Sequence, residues 1–214
     1  MKEKLITKQF GHFFSQKIKV SDHNDRNQFF LKNIKNKKCL HIGCADWPIY
    51  NPRNNLHLFL CSHHKNIDGY DVDENTINTM IESKLYPENS LFHTFPQKKY
   101  EILLIPETIE HVMNVESFFL STIELAEKEM EIIVTGPNCF RRQRATQAYK
   151  MNQNEWMETV HSDHNCWFSP FTLPNFVEKC YRNSGFNFEA LEIGTLEDTK
   201  MVFVHAKLSR NDSL

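Results

Sequence analysis

The chain has 214 residues, 40% of them hydrophobic and 24% charged, with a formal net charge of −2. That is enough for one ordinary domain with its own core, and the charge balance excludes a globally basic binder of nucleic acid or anionic membranes. No apolar run approaches the ~18 residues of a membrane span, Met1-Lys2-Glu3-Lys4-Leu5 lacks the apolar stretch of a signal peptide, and six cysteines at 39, 44, 61, 139, 166 and 180, with no C-x-x-C pair, read as reduced thiols of a cytosolic protein rather than a disulfide frame or structural zinc site.

Residues 1–20 are basic and aromatic without a clear period, and are expected to form an extended arm or short helix. Phe29, Phe30, Leu31 and Ile34 among polar residues over 24–36 predict a helix on the outside of a sheet. An N-terminal arm and helix thus occupy 1–36. The first core strand, about 38–43, runs into a turn at 44–50. Pro52 suits a first helical position, and Leu56, Phe59 and Leu60 continue a crossover helix to His64. His57 and His64, seven apart, are read as its solvated face. A second strand covers about 67–72, and Asp73 is placed to cap a helix from Glu74 to Ile81.

Leu91-Phe92-His93-Thr94 is a short third strand. Tyr100 to Pro106 is a fourth, apolar on both faces and so central. The amphipathic pattern of Val115, Phe118, Phe119, Ile123 and Leu125 predicts a helix over 115–129, before a fifth strand at 131–135. Strands alternating with helices imply a parallel sheet with helices on both faces. From 139 to 169 the pattern breaks into a long polar and aromatic insertion, which includes Trp156, Trp167 and Phe168 and reads as a lid. A helix follows over 172–183, ended by Gly185. Strands at 186–193 and 201–206 then make an antiparallel hairpin, with a tail at 207–214. The expected fold is α/β, a Rossmann-like, mostly parallel sheet of seven strands.

The stretch that organises this chain is Lys38-Cys39-Leu40-His41-Ile42-Gly43-Cys44-Ala45-Asp46-Trp47-Pro48. A buried strand ending at a glycine and small residues lets backbone N–H groups approach a ligand. Roughly thirty residues on, a second strand ends in Asp71-Val72-Asp73. In Rossmann-like sheets an acid there takes ribose hydroxyls, since two carboxylate oxygens accept from both. The N-terminal half therefore reads as a pocket for an adenosine-containing cofactor.

This order of elements resembles the class I S-adenosylmethionine-dependent methyltransferases. Leu40 to Pro48 resembles their first motif, and Gly69-Tyr70-Asp71-Val72-Asp73 their second. Pro106-Glu107-Thr108-Ile109-Glu110-His111-Val112 resembles the word after the fourth strand, in which Glu-His is often structural. His161-Ser162-Asp163-His164-Asn165-Cys166-Trp167-Phe168-Ser169, with the later Ser184-Gly185-Phe186, resembles a bacterial subgroup from surface-glycan and secondary-metabolite gene clusters. The similarity spans about 37–206. The resemblance implies S-adenosylmethionine as cofactor, bound by His41, Gly43, Cys44, Ala45, Asp71, Val72, Thr94, Phe95 and Glu107.

The sequence departs from the family at several points. His41 stands where an acid is usual, Ala45 and Trp47 replace glycines, and Thr94-Phe95 replaces the acid after strand three. Glu107 or Asp46 is the alternative negative charge for the methionyl ammonium. The altered turn also supports a competing reading, a degenerate fold serving as a non-catalytic scaffold. A nicotinamide-dependent Rossmann enzyme fits less well, because Gly-x-Gly-x-x-Gly is absent.

Methyl transfer from a sulfonium is an in-line displacement that needs alignment and exclusion of water. A hydroxyl acceptor gains from a histidine base. His111, His161 and His164 are the candidates, each with a packing or loop-anchoring alternative. Trp47, Asp163, Trp167 and Arg142 are candidate contacts for a small, sugar-like acceptor; for Arg142, within Arg141-Arg142-Gln143-Arg144, a solvated loop is the alternative. His161-x-Asp163-His164 with a further histidine could bind zinc or another divalent ion, and some methyltransferases orient a diol with a metal; but three adjacent ligands cannot all reach one ion without loop distortion, so no metal is expected. No nucleic acid or membrane insertion is expected, and a homodimer is compatible with the sequence.

Overall fold

The structure, a computed structural model, describes residues 17–46, 48, 49, 51, 54–142 and 161–210, and the backbone of 9, 10, 13, 14 and 127. Trp47, Trp156 and Pro52 lie outside the described residues. Two short strands, β1 (Gln9–Phe10) and β2 (Phe13–Phe14), pair with each other. The main sheet begins with β3 (Ser21–His23), followed by α1 (Arg26–Ile34), β4 (Cys39–Ile42), α2 (Leu56–His63), β5 (Ile67–Tyr70), α3 (Glu74–Ser83), β6 (Leu91–Phe92) and β7 (Tyr100–Ile105). Then come α4 (Val115–Thr122), β8 (Ala126–Pro137), α5 (Thr172–Arg182), β9 (Phe186–Leu196) and β10 (Met201–Arg210).

The sheet has eight strands in the order β3-β9-β10-β8-β7-β4-β5-β6. All neighbours are parallel except that β10 runs antiparallel to both β8 and β9. The five parallel strands and C-terminal hairpin expected from the sequence are therefore present. The eighth strand, β3, is too short and polar for a periodicity signal. It holds the edge because Gly194 has no side chain: a Cβ there would overlap the carbonyl oxygen of Ser21.

Alternation along the central strands builds two cores. Leu40, Ile42, Leu103, Ile105, Ile132, Val134, Val202 and Val204 face one side with Phe119 of α4 and Leu173, Val177 and Tyr181 of α5. Cys39, Ile67, Ile102, Leu104, Ile133 and Phe203 face the other with Phe29, Phe30 and Ile34 of α1 and Leu56 and Leu60 of α2. Side chains of period 2 on a sheet covered on both faces produce this split. Asp25, Asn55, Asp73 and Asn114 accept from the third backbone N–H of α1, α2, α3 and α4. No helix among the described residues is long and apolar enough to cross a membrane.

Three boundaries differ from expectation. The helix predicted to reach 129 ends at Thr122, passes through a 3-10 turn (Ile123–Leu125), and the chain enters β8 at Ala126. Pairing of Ala126 with Tyr100 and of Met130 with Leu208 overrides the helical propensity of Glu127-Lys128-Glu129. β10 continues to Arg210, into the expected tail, because Leu208 is buried opposite Met130. α2 starts at Leu56, later than Pro52 implies, because Asn55 caps it by accepting from Leu58 N–H at 2.7 Å.

Candidate functional site

The strand order reverses at β4: the chain moves outward through β5 and β6, then returns to β7 on the other side. Loops leaving β4 and β7 diverge at such a point and open a crevice at the carboxyl ends of the strands. A cavity of about 710 Å3 lies there.

Its floor is the turn after β4. Gly43 has φ +76°, and its N–H donates to Tyr70 O at 2.8 Å. A Cβ at this position would overlap Thr108 Oγ1, the hydroxyl that sits within reach of Ile42 O and Pro106 O. Glycine is thus required twice, for the left-handed backbone and for the contact with the loop after β7. Gly43→Ala is expected to lower the unfolding free energy by about 1–3 kcal/mol, measured by urea titration. Thr108→Ala should relieve the steric part of that loss and leave the backbone part.

Asp71 stands at the end of β5 and lines the cavity. Its Oδ2 accepts from Ala45 N–H at 3.2 Å and its Oδ1 from Asp73 N–H at 3.0 Å. The carboxylate is thereby held across from the glycine turn, and each oxygen keeps a lone pair for a further donor. Phe95 stacks on Tyr70, with ring centroids 4.2 Å apart and planes 19° apart, and both line the cavity. Val72 lines it too but is exposed. Thr94 is exposed and is not among the lining residues, so of the Thr94-Phe95 pair only the ring reaches the cavity.

The opposite wall carries an ion pair that no local sequence signal marks. Arg26, at the start of α1, lies 2.7 Å from Glu107 Oε2, and both line the cavity. Thr135 Oγ1 donates to Glu107 Oε1 at 2.8 Å and accepts from Glu107 N–H at 3.1 Å. Glu107 is held at φ +43°, a costly conformation for a non-glycine residue that aims its carboxylate inward. Burial pushes its pKa up, while Arg26 and the Thr135 hydroxyl pull it down. Arg26 Nε is buried with no hydrogen-bond partner among the described residues.

His41 and His57 are both buried, with Nδ1 atoms 3.2 Å apart, and both border the cavity. His57 also has Cys61 Sγ 3.6 Å from its Nε2 and stacks on Tyr86. Burial drives His57 down to about 3; burial and the neighbouring His57 drive His41 well below its usual value. Both rings are neutral near pH 7, one donating to the other. The solvated face assigned to His57 and His64 is therefore corrected: His57 points inward, because α2 is apolar on nearly every side and packs against β4 and β5.

At the cavity mouth, the 3-10 turn Ile109–His111 meets the segment from 161 to 168. Glu110 O accepts from Asn165 N–H at 2.7 Å, and Cys166 Sγ lies 3.9 Å from Ile109 O. His111, His161 and Asp163 line the cavity; His164 stands behind them, its ring centroid 4.7 Å from that of His111. Asp163 Oδ2 is 3.5 Å from His111 Nδ1. Glu110 points away from solvent, and neither carboxylate oxygen has a hydrogen-bond partner among the described residues; burial pushes it up to about 8. It is mostly the neutral acid near pH 7. Trp167 is half-buried and Arg142 exposed, and neither borders the cavity.

Of the predicted residues, His41, Gly43, Cys44, Ala45, Asp71, Val72, Phe95, Glu107, His111, His161 and Asp163 share one cavity. Arg26, His57, Tyr70, Thr108 and Phe118 join them, although the sequence reading does not place them in the site.

No protein-family model and no curated protein matches the sequence. Solved structures do match in three dimensions. The plantazolicin methyltransferase BpumL in complex with SAH aligns with TM-score 0.55 and 13% identity, over 88% of this chain and 80% of that one. A SAM-dependent methyltransferase from Aquifex aeolicus aligns with TM-score 0.54 and 10% identity, over 86% and 90%. One from Archaeoglobus fulgidus gives 0.51 and 13%, over 85% and 94%. The fold is the Rossmann-like methyltransferase fold. At these identities the likeness is one of architecture. On the methyltransferase fold, this cavity occupies the switch point where nucleotides bind in open α/β sheets.

Proposed function

We propose that the chain is an S-adenosylmethionine-dependent methyltransferase. The observation that carries this reading is the Asp71 carboxylate, braced by two backbone N–H groups and facing the glycine turn across the cavity. Asp71 takes the ribose hydroxyls, the face of Phe95 flanks the adenine, and the Gly43–Ala45 backbone lies against the sugar and the amino-acid chain. Where the family usually has an acid, His41 is neutral and tied to His57. Arg26 and Glu107 replace that acid with a matched pair: guanidinium for the methionyl carboxylate, carboxylate for its ammonium. Arg26 Nε, which has no hydrogen-bond partner among the described residues, and Glu107, which lines the cavity, support this assignment.

When bound, the sulfonium supplies an activated methyl group. The residues of this chain hold it in line and keep water away. The acceptor is a small polar molecule, a hydroxyl of a sugar or sugar-linked metabolite, entering between His111 and His161. The polar, half-open mouth and the resemblance of the 161–169 segment to enzymes of glycan and secondary-metabolite clusters support that choice. His111 takes the hydroxyl proton, with Asp163 orienting its ring.

Isothermal titration of the full chain with S-adenosylhomocysteine tests the reading. One site with a Kd on the order of micromolar is expected; no heat at millimolar ligand would overturn it. Arg26→Met is expected to weaken S-adenosylhomocysteine about tenfold and leave adenosine binding unchanged, because adenosine lacks the amino-acid portion. An equal loss for both ligands would move Arg26 out of that role.

A further inference from the structure

The structure assigns a divalent transition-metal site to His111, His161 and His164 at the mouth of the cavity. One ring nitrogen from each lies within 4.8 Å of the other two. The sequence speaks against a metal only for three adjacent ligands in one loop. The fold answers that objection by bringing in His111 from the turn after β7, a segment about fifty residues away in sequence. Asp163 need not ligate. Its carboxylate sits on the Nδ1 side of His111, which leaves Nε2 of that ring for an ion. A carboxylate behind a ligating histidine fixes ring orientation and raises basicity.

The two segments are already joined. Glu110 O accepts from Asn165 N–H, and the ring of His111 meets those of His161 and His164 edge-on, at interplanar angles of 82° and 84°. A tetrahedral ion with Zn–N bonds of about 2.0–2.1 Å needs nitrogens roughly 3.3 Å apart. The rings must therefore close by about 1–1.5 Å, a side-chain movement at a half-exposed loop. Among the described residues, a contact that opposes it is the long 3.3 Å hydrogen bond from Asp163 N–H to His161 Nδ1. Three imidazoles without thiolate select zinc, cobalt or nickel over magnesium or calcium. Three protein ligands leave at least one position open, as in catalytic rather than structural sites.

That open position faces the cavity, because His111 and His161 line it. On the methyl-transfer reading, which this part of the inference rests on, the ion would receive an acceptor oxygen, so acceptors with vicinal hydroxyls or an enolised oxygen are favoured. With an ion bound, His111 would ligate and its proton-accepting role would pass to solvent: the ion would lower the hydroxyl pKa, the proton would leave to water at the exposed mouth, and the O–CH3 bond would form as the S–CH3 bond breaks.

The test is Co2+ titration of chelator-treated full-length protein, followed by the visible d–d bands, with Zn2+ competition by calorimetry. One ion per chain and a four- or five-coordinate spectrum are expected. His111→Ala and His164→Ala should each weaken binding at least about tenfold, while His63→Ala, on the exposed end of α2, should not. Absence of binding, or binding insensitive to His111→Ala and His164→Ala, overturns the site. S-adenosylhomocysteine titration of the metal-free protein is read separately, so loss of the metal site and loss of the cofactor reading are distinguishable.

Discussion

Asp71→Asn is expected to weaken S-adenosylhomocysteine about 10- to 150-fold and to leave the melting temperature nearly unchanged. The substitution keeps the side-chain shape and one acceptor oxygen, which can hold Ala45 N–H or Asp73 N–H. It removes the charge and one acceptor. A hydrogen bond to a charged group contributes about 1.5–3 kcal/mol, and about 1.4 kcal/mol is a factor of ten. The cause can be separated from a general loss of packing. A 2′,3′-dideoxy analogue should bind the native protein weakly and show little further loss in Asp71→Asn, because both changes delete the same contacts. Equal affinity of native protein and Asp71→Asn for S-adenosylhomocysteine would detach the ribose from this carboxylate.

Acidification should destabilise the protein through the buried imidazole pair. His57 titrates near its ordinary 6.5 when unfolded and only at about 3 when folded. Between those values the unfolded chain binds the proton and the native one does not. The stabilisation from keeping the ring neutral is thus complete above about pH 7 and is lost as pH falls through 6.5 toward 3. At about 1.36 kcal/mol per pH unit the full loss is on the order of 4–5 kcal/mol, with about 2–3 kcal/mol gone by about pH 4.5. His41 is shifted in the same direction and adds to it. Urea titrations at about pH 7 and pH 4.5 measure the slope. Native protein and His57→Gln should differ in that slope by about 2–3 kcal/mol, whatever the substitution costs near neutrality. Identical slopes would mean that His57 is already solvated in the native state.

The parts of this site that were legible in the sequence are local. Gly43 and Asp71 follow from strand ends, since a strand that stops at a glycine and a strand that stops at an acid place those residues at the same edge. The parts that were not legible depend on long-range pairing. Glu107 follows from its place after the fourth strand, but its partner Arg26, 81 positions away in sequence (107 − 26), reaches it only because α1 packs on the sheet face that holds Cys39 and Leu104. His57 looked solvated because its spacing from His64 matches a helical face; its burial is set by what packs around α2, not by its own pattern. The same holds for β8, where Glu127-Lys128-Glu129 carries a helical composition and strand pairing decides. His111, His161 and His164 were each legible as candidate bases, but their mutual distance was not: it depends on residues 161–168 meeting the turn after β7, where Asn165 N–H donates to Glu110 O.

On the proposed function, the cavity beyond β4 and β5 grips a nucleoside, with Asp71 on its sugar and Arg26 and Glu107 on its amino acid. A crystal structure of the protein soaked with S-adenosylhomocysteine tests it most directly. The expected result is the ribose diol within hydrogen-bond distance of both Asp71 oxygens and the homocysteine carboxylate on Arg26. Ligand bound elsewhere, or a ribose turned away from Asp71 in the filled cavity, would contradict it.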